Sequence, residues 1–256
     1  MSDEQAVLTE RRGRVLLITL NRPDARNAVD AALAQGVAAA LTELDDDGDL
    51  QAGVLTGAGK GFCAGMDLKA FVSGESPHVE GRGFAGIAQR SADKPLIAAV
   101  EGFAVAGGLE VALACDLIVA ARGAKLGIPE VKRSLVAAGG ALLRLPQRIP
   151  YHVAMELALT GDPIPAERGH ELGLVNRLAD PGSAVDVALE LAEAVARNAP
   201  LALVASKRIV VESASWDPNE AWVKQGEIAG PVFVSEDARE GATAFAEKRE
   251  PVWRGR

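Results

Sequence analysis

Short apolar runs recur along this chain and are separated by polar, turn-forming stretches. The first run, RVLLITL at 14–20, is followed at once by the turn-prone sequence Asn-Arg-Pro-Asp. Apolar runs of this length between turn signals are typical of buried strands. The pattern predicts strands at 14–20, 52–56, 96–100, 117–120 and 125–127. Because helical segments lie between some of these runs, we expect an α/β fold with crossover connections.

Helical periodicity marks the longer connections. A helix is predicted to begin after Asp30, whose side chain can cap it, and to end at the acidic segment 45–48. The segment 102–108 is predicted as a loop that leads into a helix carrying Glu110. The polar, glycine-rich segment 73–83 is predicted as a mobile loop. The first of these helices has apolar residues at helical spacing at Leu33, Val37, Leu41 and Leu44.

The pattern changes towards the C-terminus. From about residue 184 the chain indicates helices only, and prolines at 200, 218 and 231 divide them. The first of these helices has an apolar stripe at Val185, Ala188, Leu189, Ala192 and Val195. We therefore expect a core at 1–195 and a helical packing or oligomerisation region at 196–256.

Composition and charge exclude several classes of protein. The 256 residues are 48% hydrophobic and carry a net charge of −8, so no excess of basic side chains is available to neutralise nucleic acid. The acidic N-terminus lacks the apolar segment of a secretory signal. Acidic residues interrupt the longest apolar run, so we expect no membrane span and a cytoplasmic location. The sequence favours a globular protein with a small-molecule partner.

The cysteines and histidines give no sign of a metal site. Cys63 and Cys115 are flanked by apolar residues and are expected to be small core residues rather than ligands or a disulfide. The three histidines lack metal-ligand spacing. They are His78, His152 and His170.

Two glycine-containing loops, at 63–67 and 106–110, each follow a predicted strand and lead towards a helix. N–H groups at a helix start are unpaired and partly positive, so they suit the oxyanion of a polarised carbonyl. Glycine allows a substrate to approach the backbone closely. The alternative for each loop is an ordinary strand-to-helix turn, since short glycine motifs are common.

Two glutamates lie in strongly apolar surroundings. Glu110 interrupts the mainly small and aliphatic stretch 95–121, and Glu130 follows the apolar segment KLGIP. Burying an ionised carboxylate without partners costs several kcal/mol, so such a residue is usually paired or functional. Two carboxyl groups in one apolar pocket can divide acid and base roles. The alternatives are an exposed glutamate in a first helical turn for Glu110 and a surface loop residue for Glu130.

Several motifs together resemble the crotonase (enoyl-CoA hydratase/isomerase) superfamily. They run in the family's order from NRPDARNA through FCAGMD, IAAVEGFAVAGGLEVALACDL, LGIPEV and LALTGDPI to AFAEKRE, and so cover almost the whole chain. The resemblance implies an α/β fold built as a spiral of ββα units with a helical C-terminal trimerisation region. It also implies a homotrimer or a hexamer made of two trimers.

The resemblance also implies a reaction and its catalytic groups. The backbone amides of Ala64 and Gly107 would polarise an acyl-CoA thioester carbonyl. Glu110 would orient and deprotonate a water molecule, and Glu130 would protonate C2, which amounts to reversible syn hydration of a 2-enoyl-CoA to a 3-hydroxyacyl-CoA. No metal or redox cofactor is expected, and coenzyme A is part of the substrate.

Three other functions compete with hydration. One is a different crotonase reaction, such as double-bond isomerisation or dehydration of a non-fatty acyl-CoA. Another is a non-catalytic acyl-CoA-binding protein on the same fold. A thioesterase-like hydrolase lacks support because no nucleophile and base pair is evident.

Contacts to the coenzyme A half also follow from the resemblance. Without the resemblance, residues 24–28 would be interpreted as a helix-entry turn, and Phe245 and Lys248 as part of a solvated helix end. Asp67 is in addition expected to cap the helix that follows it. The implied contacts are Asp24, Ala25, Arg26, Ala28, Ala64, Gly65, Asp67, Leu68, Phe245 and Lys248.

The chain departs from the family pattern at two positions. Ala138 lies where a backbone amide can help to hold the catalytic water, in a stretch that is usually richer in glycine and proline. Ala106 stands where a third glycine is frequent, a change that we expect to be mild. The acyl group's length and shape stay open.

Overall fold

Six strands form the main sheet, in the order β1-β2-β3-β6-β8-β11. The computed structural model describes residues 5–256. Only β1 runs antiparallel to its neighbour, and the other pairings are parallel. The strands are β1 Val7–Arg12, β2 Val15–Leu20, β3 Ala52–Gly57, β4 His78–Val79, β5 Gly83–Phe84, β6 Leu96–Val100, β7 Phe103–Val105, β8 Leu117–Ala121, β9 Lys125–Gly127, β10 Ile164–Pro165 and β11 Arg177–Ala179.

Helices follow most of the strands and make up the whole C-terminal part. Short 3₁₀ helices occur at Pro23–Ala25 and Pro129–Arg133. The α-helices are α1 Ala31–Asp46, α2 Leu68–Val72, α3 Gly107–Ala114, α4 Ala141–Arg148, α5 Tyr151–Thr160, α6 Ala166–Glu171, α7 Ala184–Ala196, α8 Pro200–Ser213, α9 Ala221–Phe233 and α10 Glu236–Glu247.

The chain winds as a spiral whose successive turns repeat one plan. In one turn β6 joins the main sheet, β7 joins a second sheet and α3 follows; in the next turn β8, β9 and α4 do the same. The preceding turn contributes β3 and then Cys63, which pairs in parallel with Ala104 of β7. The second sheet therefore brings three consecutive turns side by side at its end.

The two faces of the main sheet are covered differently. On one face, Val15 and Leu17 of β2 pack with α7, whose alanines alone are fully buried there. Alanine permits a close approach of helix to sheet, so the stripe predicted at 185–195 is present with its small residues innermost. On the other face, Leu16, Ile18 and Leu20 join the larger core formed with α1, α3 and α4. This alternation is what a strand buried on both faces produces.

The sequence predicted α1 and four strands of the main sheet (β2, β3, β6 and β8) to within a residue or two, but it missed the edge strands β1 and β11. The Asp30 side chain caps α1 by accepting a hydrogen bond from the Leu33 N–H at 2.9 Å, as expected. Two loop predictions were wrong in part. The segment 102–108 contains strand β7, and 73–83 contains most of a two-stranded hairpin, β4–β5, whose Phe84 is buried.

Glu101 lies between the apolar strands β6 and β7, and its carboxylate is held there by hydrogen bonds. Its Oε1 accepts hydrogen bonds from the N–H groups of Gly182 (3.0 Å) and Ala184 (2.9 Å). Ala184 is the first residue of α7, which has no side-chain cap of its own, and Gly182 lies just before the helix. Glu101 thereby ties the spiral to the start of α7.

The C-terminal helices pack mainly on one another. Helix α8 lies against α9 and is joined to the core by Lys207, which donates to the carboxylate of Asp116 at 2.7 Å and to the Lys94 carbonyl at 2.9 Å. Asp116 also accepts the Leu96 N–H at 2.8 Å, so its carboxylate joins β6 to α8. None of the helices within residues 5–256 has both the length and the apolarity of a membrane span.

Replacing Glu101 tests the link to α7. Glu101→Ala leaves two amides without their acceptor, and we expect unfolding to become easier by about 1–2 kcal/mol, or about 2–6 °C in melting temperature. Glu101→Gln keeps the accepting oxygen and should melt close to the wild type. Equal melting temperatures for the alanine variant and the wild type would contradict this role.

Candidate active site

A cavity of about 480 Å³ opens at the end of the second sheet. Its walls come from the three spiral turns, the β4–β5 hairpin and the segment before α4. They are largely apolar, and two carboxyl groups are among them. The lining residues are Arg26, Ala64, Met66, Leu68, His78, Phe84, Val105, Ala106, Gly107, Glu110, Pro129, Glu130, Arg133, Leu135, Val136, Ala138 and Gly139.

The two glycine-containing loops lie in direct contact along one wall. A Cβ on Gly65 would lie 2.9 Å from the Gly107 nitrogen and 2.8 Å from the Ala106 Cβ. A side chain on Gly107 would meet the ring of Phe84 at 2.6 Å. Both glycines are therefore required by space, and together they bring two stretches of backbone to the same point of the cavity.

The first of the two expected amide donors was assigned wrongly. The Ala64 N–H already donates to the Arg26 carbonyl at 3.1 Å, and the Asp67 N–H donates to the Val29 carbonyl at 2.9 Å. The Gly65 N–H lies against the Cys63 sulfur. Among the described residues, the amide of this loop left without an acceptor is that of Met66, which lines the cavity.

Gly107 is the first residue of α3, so its N–H has no partner within the helix. The preceding residue, Ala106, has φ 54° and ψ −134°, a conformation that favours glycine. Alanine at this position therefore has a backbone cost, and its mild effect on activity stays a prediction. Ala106 stores backbone strain of the order of 1 kcal/mol at the start of the helix.

Glu110 is buried, with 4% of its surface exposed, so the exposed alternative is excluded. Its Oε1 accepts the Ala141 N–H at 3.1 Å, and its Oε2 would lie 2.6 Å from a Cβ on Gly139. Burial raises the pKa of this carboxyl above its usual value, and the amides of Ala141 and Gly139 partly oppose the rise. The anionic form is therefore stabilised by the backbone of the segment before α4.

Glu130 occupies the first turn of the 3₁₀ helix after β9, facing the same cavity. Its Oε2 is buried and has no hydrogen-bond partner among residues 5–256. Burial raises the pKa of Glu130 to about 7, and the nearby charge of Glu110 adds to the rise. The two carboxyl groups thus interact, and the pair favours one ionised and one protonated member near neutral pH.

The coenzyme A contacts expected at 24–28 are brought only partly to the cavity. Arg26 lines it, but Asp24, Ala25 and Ala28 do not. The segment is held by the buried side chain of Asn27, whose Oδ1 accepts the Arg22 N–H and whose Nδ2 donates to two carbonyls of the next loop.

The remaining expected contacts divide in the same way. Ala64 and Leu68 line the cavity. The Asp67 carboxylate instead caps α2 and pairs with Arg22 at 3.1 Å, while Gly65 supports Gly107. Phe245 on α10 and Lys248 just after it are not among the residues that line the cavity, and Phe245 is 87% exposed. The C-terminal helices of the same chain therefore contribute none of the residues that line the cavity.

Sequence reasoning gave no definite role to several residues of the cavity. Phe84 and His78 form an edge-to-face pair with ring centroids 5.9 Å apart on the hairpin, and Met66 carries the free amide. Arg133 was also missed. A single aromatic residue in a glycine-rich stretch was the available signal for Phe84, whereas nothing local marks an amide without an acceptor.

The cysteines behave as expected, since both are buried free thiols. Among residues 5–256, no group of three or more His, Cys, Asp or Glu side chains is placed to hold a metal ion.

Comparisons with known proteins connect this geometry with a family. The model of the enoyl-CoA hydratase/isomerase family matches residues 10–256. The chain is 44% identical over 256 residues to enoyl-CoA hydratase EchA19 of Mycobacterium tuberculosis, covering 97% of this chain and 96% of the relative. It is 42% identical over 254 residues to a carnitinyl-CoA dehydratase of Salmonella enteritidis, covering 96% and 97%.

A solved structure agrees closely. The crystal structure of an enoyl-CoA hydratase from M. tuberculosis H37Rv superposes with a TM-score of 0.97 at 61% identity, covering 99% of this chain and all of that one. The chain belongs to the enoyl-CoA hydratase/isomerase family. It is an enzyme of the hydro-lyase type, and the crotonase-like spiral with a helical C-terminal region is confirmed.

The raised pKa of Glu130 predicts a pH-dependent cost in stability. Between its ordinary value of 4.5 and about 7, the folded state binds more protons than the unfolded state, so stability falls as pH rises through this range. Glu130→Gln removes this loss. We expect its melting temperature to exceed that of the wild type at pH 8 by a few degrees, and the difference to shrink at pH 4.5.

The matched control is Glu75→Gln, at an exposed glutamate, which should show no such pH-dependent difference. Differential scanning calorimetry of the three proteins at both pH values makes the comparison. A Glu130→Gln advantage that is equal at both values would rule out the titration as its cause.

Proposed function

We propose that this enzyme catalyses the reversible syn hydration of 2-enoyl-CoA thioesters to 3-hydroxyacyl-CoA. The observation that carries the proposal is the meeting of two unlike carboxyl groups, Glu110 and Glu130, in one apolar cavity beside two backbone amides without acceptors. Hydration needs a base and an acid on one face of the substrate and a site for the oxyanion. All three are within reach of a single bound acyl group.

The thioester carbonyl accepts hydrogen bonds from the N–H groups of Met66 and Gly107. These donors stabilise the enolate that forms when water adds at C3, and removing one comparable donor typically costs about 3 kcal/mol of transition-state stabilisation. Met66 replaces Ala64 in this role because the Ala64 amide is already used within the fold.

The carboxyl groups then divide the proton transfers. Glu110 is ionised, orients a water molecule and takes its proton as the oxygen adds to C3. Glu130 is protonated and delivers its proton to C2 on the same face. In the dehydration direction the roles reverse, so the pair carries one proton in both directions.

The acyl group occupies the apolar part of the cavity. Leu68, Phe84, Leu135 and Val136 surround it, and Arg26 at the rim faces the coenzyme A half. Dehydration of a non-fatty 3-hydroxyacyl-CoA is the second candidate. The observation that favours it is the 42% identity to a relative named for dehydration of carnitinyl-CoA, which the same two carboxyl groups would perform.

The reaction is redox-neutral, and the backbone amides supply the electrophilic assistance that a metal ion would otherwise give. We therefore propose catalysis without a metal or redox cofactor, with coenzyme A entering only as part of the substrate.

We further propose that copies of this chain associate through the C-terminal helices, as a trimer that can double to a hexamer. Helices α8 and α9 have no buried residues in one chain and present large apolar side chains to solvent. Patches of this kind mark association surfaces. The exposed residues include Val210, Trp222, Val223, Phe233, Val234 and Phe245.

Conservative variants of the two glutamates test the reaction. Glu110→Gln and Glu130→Gln should each lower kcat by about 10²–10⁴-fold, because the side-chain amide of glutamine cannot accept or donate the required proton. Binding of crotonyl-CoA, measured by calorimetry, should persist. Turnover is followed as loss of the absorbance of the conjugated enoyl thioester.

Glu75→Gln serves as the matched control and should keep wild-type turnover. The binding-only alternative is supported if the wild type binds the enoyl-CoA without consuming it. Formation of an isomer in place of the 3-hydroxyacyl product would favour isomerisation instead.

The pH profile gives a further test. With a Glu130 pKa of about 7, kcat/KM should fall above about pH 7 as the pair loses its proton. The fall should occur at the same pH for hydration and for dehydration, because the active form carries one proton in both. Different alkaline limbs for the two directions would contradict the assignment.

The assembly is tested by light scattering during size-exclusion chromatography. The wild type should elute with three or six times the 26.6 kDa mass of one chain, and Trp222→Glu should shift the population towards the single chain. A monomeric wild type at micromolar concentration would overturn the proposal.

A further inference from the structure

Arg144 lies behind the catalytic cavity, on the first turns of α4. It lines a second cavity of about 600 Å³ on the opposite side of the segment 138–141, whereas Glu110 and Gly139 line the first. The guanidinium and the carboxylate therefore face one strip of backbone from its two sides.

Two consecutive glycines permit this arrangement. A Cβ on Gly139 would collide with Oε2 of Glu110 at 2.6 Å. A Cβ on Gly140 would collide with Nη1 of Arg144 at 2.2 Å, and Gly140 also has φ +111°. Any side chain at either position would push one of the two charged groups away from the backbone between them.

Arg144 also fixes the orientation of the peptide between the glycines. Its Nη1 donates to the Gly139 carbonyl at 3.4 Å, and the N–H of the same peptide belongs to Gly140 on the side of Glu110. The amides of Ala141, Gly139 and Gly140, together with the Arg144 charge, all favour the anionic form of Glu110. The guanidinium therefore acts on the carboxylate both through space and through the peptide that it holds.

The same guanidinium also contacts the segment that follows the β4–β5 hairpin. Its Nη2 donates to the Ala88 carbonyl at 2.6 Å. The Ala88 N–H in turn donates to the carbonyl of Phe84, whose ring packs on Gly107. Arg144 thus links the segment that holds the base to the hairpin that backs the oxyanion loop.

We propose that Arg144 is a positioning residue of the hydration reaction, which holds the 139–141 backbone and the hairpin in place so that Glu110 stays ionised and aimed at the water. The inference rests on the proposed function. Nothing in it requires Arg144 to touch the substrate, from which the backbone of 138–141 separates it.

The main experiment compares Arg144→Gln and Arg144→Lys with the wild type in hydration of crotonyl-CoA over pH 5–9. For Arg144→Gln we expect kcat to fall at least about tenfold with KM nearly unchanged. Without the positive charge Glu110 ionises less readily, so the acidic limb of kcat/KM should move up by about one pH unit. Arg144→Lys keeps the positive charge but loses the two-pronged guanidinium that bridges the Gly139 and Ala88 carbonyls. We therefore expect kcat to fall, while the acidic limb of kcat/KM stays within about 0.3 pH unit of the wild type.

The matched control is Arg148→Gln, one turn later on α4. Arg148 is likewise half-buried and donates to a carbonyl, that of Leu113 at 2.7 Å, but it does not contact the 139–141 segment. Its acidic limb should coincide with that of the wild type. An equal shift in the Arg148 variant, or an unshifted limb in Arg144→Gln, would overturn the proposal and leave Arg144 a purely structural residue.

A readout without turnover separates this proposal from the proposed function. With ¹³C-labelled glutamate, the Glu110 carboxyl signal, assigned by its loss in Glu110→Gln, should titrate at higher pH in Arg144→Gln than in the wild type. An unchanged titration would refute the positioning role even if hydration is confirmed. If Arg144→Gln does not fold, the same titration in Arg144→Lys decides, since it should match the wild type while kcat is reduced.

Discussion

The parallel pairing of the second sheet is the constraint on which the site depends. Cys63 pairs with Ala104, and β7 pairs with β9, so three turns of the spiral end at the same height. Met66, Gly107 and Glu130 follow these three segments in turn. Parallel strands place equivalent chain ends at one edge, so the Met66 and Gly107 amides and the Glu130 carboxyl come together although Met66 and Glu130 are 64 positions apart in the sequence. Backbone pairing alone therefore brings these three positions together.

Glu110 and Glu130 are the same residue type in one apolar cavity, but their surroundings favour different protonation states. Glu110 is the more deeply buried, yet backbone amides and a guanidinium counter its desolvation. Glu130 is less buried, but one of its oxygens has no partner in the described chain and it faces the charge of its neighbour. Hydrogen bonding, rather than depth, therefore decides which carboxyl keeps the proton.

The sequence predicted much of this arrangement where the evidence was local. The strand at 96–100 is a continuous apolar run, and Glu110 was conspicuous because its neighbours are apolar. Met66 was missed because the choice between neighbouring amides depends on where Arg26 and Val29 place their carbonyls, some 38 residues away in the chain. The strand Phe103–Val105 and the hairpin at 78–84 are too short for a periodic signal, and only their pairing partners define them.

The hairpin carrying His78 and Phe84 has a consequence for how this fold diversifies. Its strands are two residues long, it contributes none of the proposed reacting groups, and it meets Gly107 through the Phe84 ring. Changes in its length or composition can therefore reshape this wall of the cavity while Glu110, Glu130 and the two backbone amides keep their positions. Changes in this hairpin can therefore alter substrate specificity without altering the groups proposed to react.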